Sequence, residues 1–338
     1  MSPVRTPIAI ASVAAAALLA ACGGGGSDAS GGGVTDAERS TAATATANAN
    51  PMCAPGALSA YYWEVGDAGG VKVSGRVGGA DAPSRDTAML IFSASKWLYA
   101  ASVIETRGVV DDDVAFLNFT SGYSNFGNVP VCVGNTVGSC QLLPIEQDPA
   151  TITRFSYDSG HMQQHAATVM GLADADNAAL ATQLRTTLGD FGFAYEVPQP
   201  ATGVRGSAAG YAGFLRKVLA GDLAIAAALG SHATCTNPDA PGCNADRSVD
   251  SSADEDMNYS LGHWVEADPE VGDGAFSSAG AGGFYPWIDR DKRYYGLLAR
   301  QHPSEGGAGF SSLACGRLIR QAWMTGVAVT STTPTPSR

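Results

Sequence analysis

Strand-forming segments lie at the two ends of this chain and helix-forming segments fill its middle, and that distribution restricts the fold more than any other feature. Near the N-terminal end, "LSAYYWEVGDAGGVKVSGRVGG" (Leu58 to Gly79) holds two β-rich runs around Asp67-Ala68-Gly69-Gly70, a hairpin signal. Near the C-terminal end, "NYSLGHWVEA", "GAFSSAG" and "GFYPWIDRDKRYYGLLARQ" read as three β segments, the last a hairpin over Asp289-Arg290-Asp291-Lys292. Helices are predicted from about Gly160 to Leu172, across "DNAALATQLRTTLGDF", across "SAAGYAGFLRKVLAGDL" with Ser207 as its cap, and from about Gly309 to Met324. The implied fold class is α/β of the α+β type: one sheet assembled from both chain ends, flanked by helices, with an inserted helical lobe at about residues 110 to 230. A chain of 338 residues, 45% of them hydrophobic, is long enough for one such domain.

The first residues read as an export signal. Arg5 precedes the apolar run "IAIASVAAAALLA", which is too short for the roughly 20 residues of a membrane span. Leu19-Ala20-Ala21-Cys22 resembles a bacterial lipobox, which implies removal of residues 1–21 and lipidation of Cys22. Residues 22–52 carry almost no large apolar side chain and are expected to be a flexible tether; residues 328–338 are expected to be a disordered tail. The folded domain is then 53–327. Gly23 stands where an inner-membrane retention signal would have aspartate, so the expected place is the outer membrane of a bacterial envelope, facing the periplasm.

Export permits disulfides, and setting Cys22 aside leaves six cysteines. Cys132 and Cys140 bracket one polar, turn-rich segment and Cys235 and Cys243 another, so a bridge is expected across each. Cys53 and Cys315 are left to join the two ends of the domain, although other pairings of six cysteines remain open. No C-x-x-C pair supports zinc. A net charge of −12 without any basic cluster excludes a nucleic-acid partner.

The chemistry concentrates in "IFSASKWLYAASVIETRG" (Ile91 to Gly108). Trp97, Ala100, Ala101 and Ile104 form a buried stripe at helical spacing, and Gly108 is the stop. Ser93 and Lys96 are three residues apart at the polar start of this helix, so they share a face. Serine there is either an N-cap beside a surface lysine or a nucleophile beside the amine that activates it, provided burial lowers the amine's pKa.

The order of several segments decides between these. Ser93-Ala94-Ser95-Lys96 matches S-x-x-K, "FLNFTSGY" carries a Thr-Ser-Gly, and "PATGVRGSAAGYAGFLRKVLAGDL" and "YSLGHW" follow. In that order, over roughly Leu58 to Met324, the chain resembles the serine β-lactamase and penicillin-binding-protein superfamily, in particular the class C β-lactamase-like serine hydrolases of the esterase branch.

That resemblance implies a β-lactamase-like fold and a catalytic Ser93, Lys96 and tyrosine, with no cofactor. Tyr123-Ser124-Asn125 matches the tyrosine motif by letters, but Tyr157-Asp158-Ser159 matches it by position, so Tyr157 is the expected proton relay and Ser159 a substrate contact. In the third motif, Ser278-Ala279-Gly280, the basic residue is absent; Gly280 and Ala281 are kept as substrate and oxyanion positions, with the backbone N–H groups of Ser93 and Ala281 forming the hole. The missing cation favours an ester or amide over a β-lactam. His161 is expected to line the pocket in its place; His161 and His165 without a carboxylate do not make a metal site, and His263 is expected to be structural. The expected protein is a monomeric serine hydrolase acting on a small ester or amide and held to the membrane by a lipid anchor. The competing reading is a non-catalytic envelope binding protein on the same scaffold.

Overall fold

The computed structural model describes residues 33–140, 144–249, 255–302 and 307–331. The expected signal peptide, Cys22 and the first part of the expected tether lie outside these residues.

The main sheet has eight strands: β1 (Tyr61–Asp67), β2 (Gly70–Val77), β3 (Thr234–Cys235), β4 (Asn258–Ser260), β5 (His263–Val265), β6 (Phe276–Ser277), β7 (Tyr285–Ile288) and β8 (Tyr295–Ala299). Their spatial order is β2-β1-β8-β7-β6-β5-β4-β3, with every pair antiparallel. The two chain ends meet where β1 pairs with β8, Trp63 opposite Leu298 and Val65 opposite Gly296. The expected hairpins are both present, one turning at Ala68-Gly69 and the other between Ile288 and Tyr295. "GAFSSAG" contributes only Phe276 and Ser277 as strand, although the Ser278 and Gly280 N–H groups still bond the Pro286 and Phe284 carbonyls.

Among the described residues six longer helices accompany the sheet: α1 (Asp36–Ala49), α2 (Ser95–Arg107), α3 (Gly160–Thr168), α4 (Asn177–Leu188), α5 (Ala208–Ala220) and α6 (Ala308–Thr325). Helix α2 is buried from Ser95 to Ile104, and Trp97 is wholly enclosed, its ring stacked on His263 at 5.2 Å. His263 is therefore a core group, as expected; its Nε2 accepts the Gly230 N–H. Helix α5 starts at its Ser207 cap and sends Tyr211 to donate to the Ala94 carbonyl, which fixes the start of α2.

The tether at residues 22–52 needs correction. From Asp36 to Ala49 the chain is helical, opened by a capping box in which Thr35 and Glu38 bond each other's backbone. Its buried face is made only of Ala42, Ala43, Thr46 and Ala47, laid against α6. Alanine is the best helix former and lets helices approach closely, so the absence of large side chains did not prevent docking. Arg39 donates to the Trp323 and Met324 carbonyls at the end of α6, at 2.7 and 2.8 Å.

The start of the expected tail is also held. Asn50 donates to the carbonyls of Val329 and Ser331, and the Val329 N–H bonds Thr46 Oγ1 at 2.8 Å.

Among the described residues the disulfides are Cys53–Cys315, Cys132–Cys140 and Cys235–Cys243, the pairings that the spacing favoured. The first closes a span of 262 residues and links the segment after α1 to the middle of α6.

Candidate active site

Ser93 sits in a short 3-10 turn, Phe92–Ala94, that runs into α2. Phe92, just before it, has φ of 48°, a conformation a bulky side chain rarely adopts. The bend is held from both sides. Tyr211 bonds the Ala94 carbonyl, and the Phe92 ring lies over Gly282, where a Cβ would strike it. Such strain next to a reactive side chain is a common mark of a functional turn.

One helical turn places Lys96 Nζ 3.0 Å from Ser93 Oγ. Lys96 is fully buried, and Ser93 keeps 7% of its surface. Nζ also donates to Ser159 Oγ at 3.4 Å and to the Ala201 carbonyl at 3.3 Å. Burial pulls the ammonium pKa down to about 7; the charge of Asp158 opposes this and does not cancel it. Near neutral pH a large fraction of Lys96 is therefore a free amine, able to accept a proton.

Tyr157 completes the group. Burial raises its phenol pKa well above the ordinary value, and the nearby Ser93 opposes this in part, so the phenol stays protonated at neutral pH. Nζ of Lys96 lies 5.0 Å from the centre of its ring, and the ring stacks on Trp264 at 5.5 Å. Tyr123, the match by letters, instead stacks on Phe116. Of the two tyrosines, only Tyr157 has its ring beside Lys96.

Ser159 donates to Asn128 Oδ1 at 2.9 Å, and Asn128 Nδ2 donates to the Tyr157 carbonyl at 3.1 Å. Asp158, buried between them, accepts the backbone N–H groups of Phe126, Gly127 and Gly160 and pairs with Arg247 at 3.0 Å. Neither Asn128 nor Asp158 was singled out from the sequence. Their work is to lock the "TSGYSNFGN" loop onto the Tyr157 motif, and no periodicity or spacing signals a contact across about 30 residues of irregular chain.

The third-motif segment runs alongside the nucleophile. Ser278 Oγ donates to the Ser93 carbonyl at 3.1 Å, and Gly280 passes so close that a Cβ there would collide with the Ile91 carbonyl oxygen. Only glycine fits this crossing, which accounts for Gly280 without giving it a substrate contact. Among the described residues no backbone acceptor takes the N–H of Ser93 or of Ala281. Two such donors on adjacent segments are what an oxyanion hole requires.

His161 does not line the pocket. It is fully buried, with Nδ1 2.7 Å from Ser121 Oγ and Nε2 3.0 Å from the Ser156 carbonyl. Burial holds its pKa down at about 3, only partly countered by the Ser156 bond. A neutral imidazole with both nitrogens engaged cannot replace the missing cation. It braces the Thr-Ser-Gly segment against the strand entering Tyr157. His165 turns to Tyr99 and Asp113, at 2.7 and 3.0 Å, so the two histidines serve separate partners. No group of three His, Cys, Asp or Glu side chains among the described residues could hold a metal.

No protein-family model matches the chain, and no curated protein does. Solved structures do. EstCE1, a hydrolase with promiscuous acyltransferase activity, aligns at a TM-score of 0.59 and 14% identity over 86% of this chain and 99% of its own. A penicillin-binding protein homologue from Caulobacter crescentus aligns at 0.58 and 13% identity over 86% and 97%. A β-lactamase from Mycobacterium bovis aligns at 0.53 and 17% identity over 79% and 96%. With its antiparallel sheet closed by both chain ends, the chain has the fold of the serine β-lactamase and penicillin-binding-protein superfamily.

Proposed function

We propose that this protein is an exported serine hydrolase that cleaves an ester or amide through an acyl-enzyme on Ser93. The observation that carries the reading is a buried lysine, its pKa near 7, set 3.0 Å from the hydroxyl of Ser93. A binding protein has no use for so costly an arrangement.

In the proposed cycle neutral Lys96 takes the Ser93 proton as Oγ attacks the carbonyl carbon. The oxyanion is held by the N–H groups of Ser93 and Ala281. Lys96 then returns the proton through Tyr157 to the leaving alcohol or amine, and water releases the acid.

Ser278 supports the choice of ester or neutral amide over a β-lactam. It stands where the family's third motif has lysine or histidine, and its hydroxyl is committed to the Ser93 carbonyl. Three disulfides support an oxidising compartment, in keeping with a lipid-anchored protein of the bacterial envelope.

The test is turnover of p-nitrophenyl acetate by the domain and by Ser93→Ala across roughly pH 5 to 9, a range centred on the lysine's transition. Wild-type kcat/KM is expected to rise with an apparent pKa of about 7 as Lys96 loses its proton, and Ser93→Ala to be inactive. Turnover that survives Ser93→Ala, or a flat profile over this range, contradicts the mechanism.

A further inference from the structure

Among the described residues two arginines are buried almost completely, Arg320 at 1% exposure and Arg300 at 2%, and their surroundings differ. Arg320 meets the carboxylates of Glu266 and Asp273. Arg300 meets only uncharged oxygens: Nε donates to Ser312 Oγ at 2.8 Å, one terminal nitrogen to the Leu58 carbonyl, and the other to the Ala308 carbonyl at 2.7 Å. Among the described residues no carboxylate pairs with it. Burial lowers its pKa to about 10, so the charge persists at neutral pH. A buried cation without an opposite charge is costly, and a neutral side chain would spare the fold that cost.

Its place is behind the turn that carries the Ala281 N–H. Gly280 to Gly283 form that turn, closed by the Gly283 N–H on the Gly280 carbonyl at 2.8 Å. Towards the nucleophile, a Cβ on Gly280 would strike the Ile91 carbonyl oxygen and one on Gly282 the Phe92 ring. At the end of the turn, a Cβ on Gly283 would come within 2.7, 2.8 and 3.0 Å of Arg300 Cγ, Nε and Cζ, so this side chain lies directly against the glycine. The His302 N–H bonds the Gly282 carbonyl at 2.8 Å, and the chain around Arg300 thereby holds the turn from a second point. Ala281 and Gly283 are two residues apart, at most about 8 Å between Cα atoms, which puts the charge roughly 10 Å from the Ala281 N–H.

Resting on the acyl-enzyme reading, we infer that Arg300 is a positioning residue for the oxyanion hole: it braces the turn carrying the Ala281 N–H and supplies from behind the positive charge that the third motif lacks at Ser278. Its effect belongs to the transition state, because negative charge gathers on the substrate oxygen only as Ser93 Oγ bonds the carbonyl carbon and Lys96 takes the proton. The neutral substrate gains nothing from it, so kcat depends on Arg300 and KM does not. A unit charge about 10 Å away, at an effective dielectric of about 20, changes the rate roughly tenfold.

The experiment measures p-nitrophenyl acetate hydrolysis over roughly pH 5 to 9 by wild type, Arg300→Gln, Arg300→Lys and Ser312→Asp. The last of these keeps the arginine but sets a carboxylate beside Nε, cancelling the charge where it sits. Arg300→Gln and Ser312→Asp are each expected to lower kcat by about tenfold, with KM within about twofold of wild type. The transition near pH 7 should not move, and Arg300→Lys should recover most of the lost kcat. A merely structural arginine predicts a different pattern, in which kcat follows the melting temperature in both Arg300 variants and Ser312→Asp loses nothing. Melting curves establish which proteins are folded, and if one of the two charge-cancelled proteins is not, the other decides. Unchanged kcat in a folded charge-cancelled protein, or a tenfold loss in Arg300→Lys, overturns the inference while the hydrolase stands. No Ser93-dependent turnover by wild type removes both.

Discussion

Lys96→Met is expected to lower Ser93 acylation by about 10²- to 10⁴-fold, the size of a lost general base, while making the fold more stable at neutral pH. Both effects come from one fact, that the amine is wholly buried. In the unfolded chain Lys96 keeps its proton up to the ordinary lysine pKa of 10.5, whereas in the folded protein it loses it at about 7. Between these values the unfolded state binds more protons, so the stability of wild type rises with pH across the window and is lowest below it. Methionine carries no such penalty. The gain should be about 2–4 kcal/mol near neutral pH, less than the full shift implies because Ser159 and Ala201 each lose a donor, and it should fade as pH approaches the unfolded-state value. Melting curves of the two proteins at about pH 7 and about pH 10, the two ends of that window, check this. Equal curves at neutral pH would mean that Lys96 is charged in the fold, and the proposed role as base would fall with it.

Glu266→Ala is expected to cost about 3–5 kcal/mol, since it removes the buried carboxylate shared by two arginines and leaves Arg317 only Glu255 and Arg320 only Asp273, both nearer the surface. The Glu266 carboxylate is fully buried on the segment leaving β5 and meets Arg317 at 2.7 Å, Arg320 at 2.7 Å and Tyr285 Oη at 2.6 Å. Arg320 is itself 1% exposed and pairs with Asp273. The cluster ties α6 to β5 and β7. Burial disfavours the Glu266 charge, but Arg320 and Arg317 outweigh it and hold the pKa down at about 2. The carboxylate's contribution is therefore complete above the ordinary glutamate pKa of 4.5 and is lost as pH falls towards 2. Urea titrations should show wild type weakening through that acid window and Glu266→Ala varying less with pH there. A loss under about 1 kcal/mol, the scale of an exposed ion pair, would mean that the arginines find other partners.

Much of this was legible in the sequence because it rests on local patterns. The two hairpins announced themselves through turn residues between β-rich runs, and joining them into one sheet followed from their placement at the two ends of the domain. Ser93 and Lys96 were legible because three residues make one helical turn, and the short cysteine loops because their spacing is local. What escaped depends on contacts between distant segments. Helix α1 was read as a tether because its buried stripe is alanine and threonine; only α6, at the other end of the domain, shows what those small side chains fit. His161 was assigned to the pocket from its nearness to Tyr157 in sequence, yet the first turn of α3 carries it towards Ser121 and Ser156. Asn128 and Ala201 reach Lys96 and its neighbours from irregular chain, where no period exists to be read.

The most direct measurement is the intact mass of the domain after exposure to a fluorophosphonate, alongside Ser93→Ala and Lys96→Met. A hydroxyl activated by a neutral amine 3.0 Å away should take up one phosphonyl group on wild type, none on Ser93→Ala, and react far more slowly on Lys96→Met. Wild-type protein that stays unmodified while folded, or that is modified equally after Ser93→Ala, would contradict Ser93 as the nucleophile.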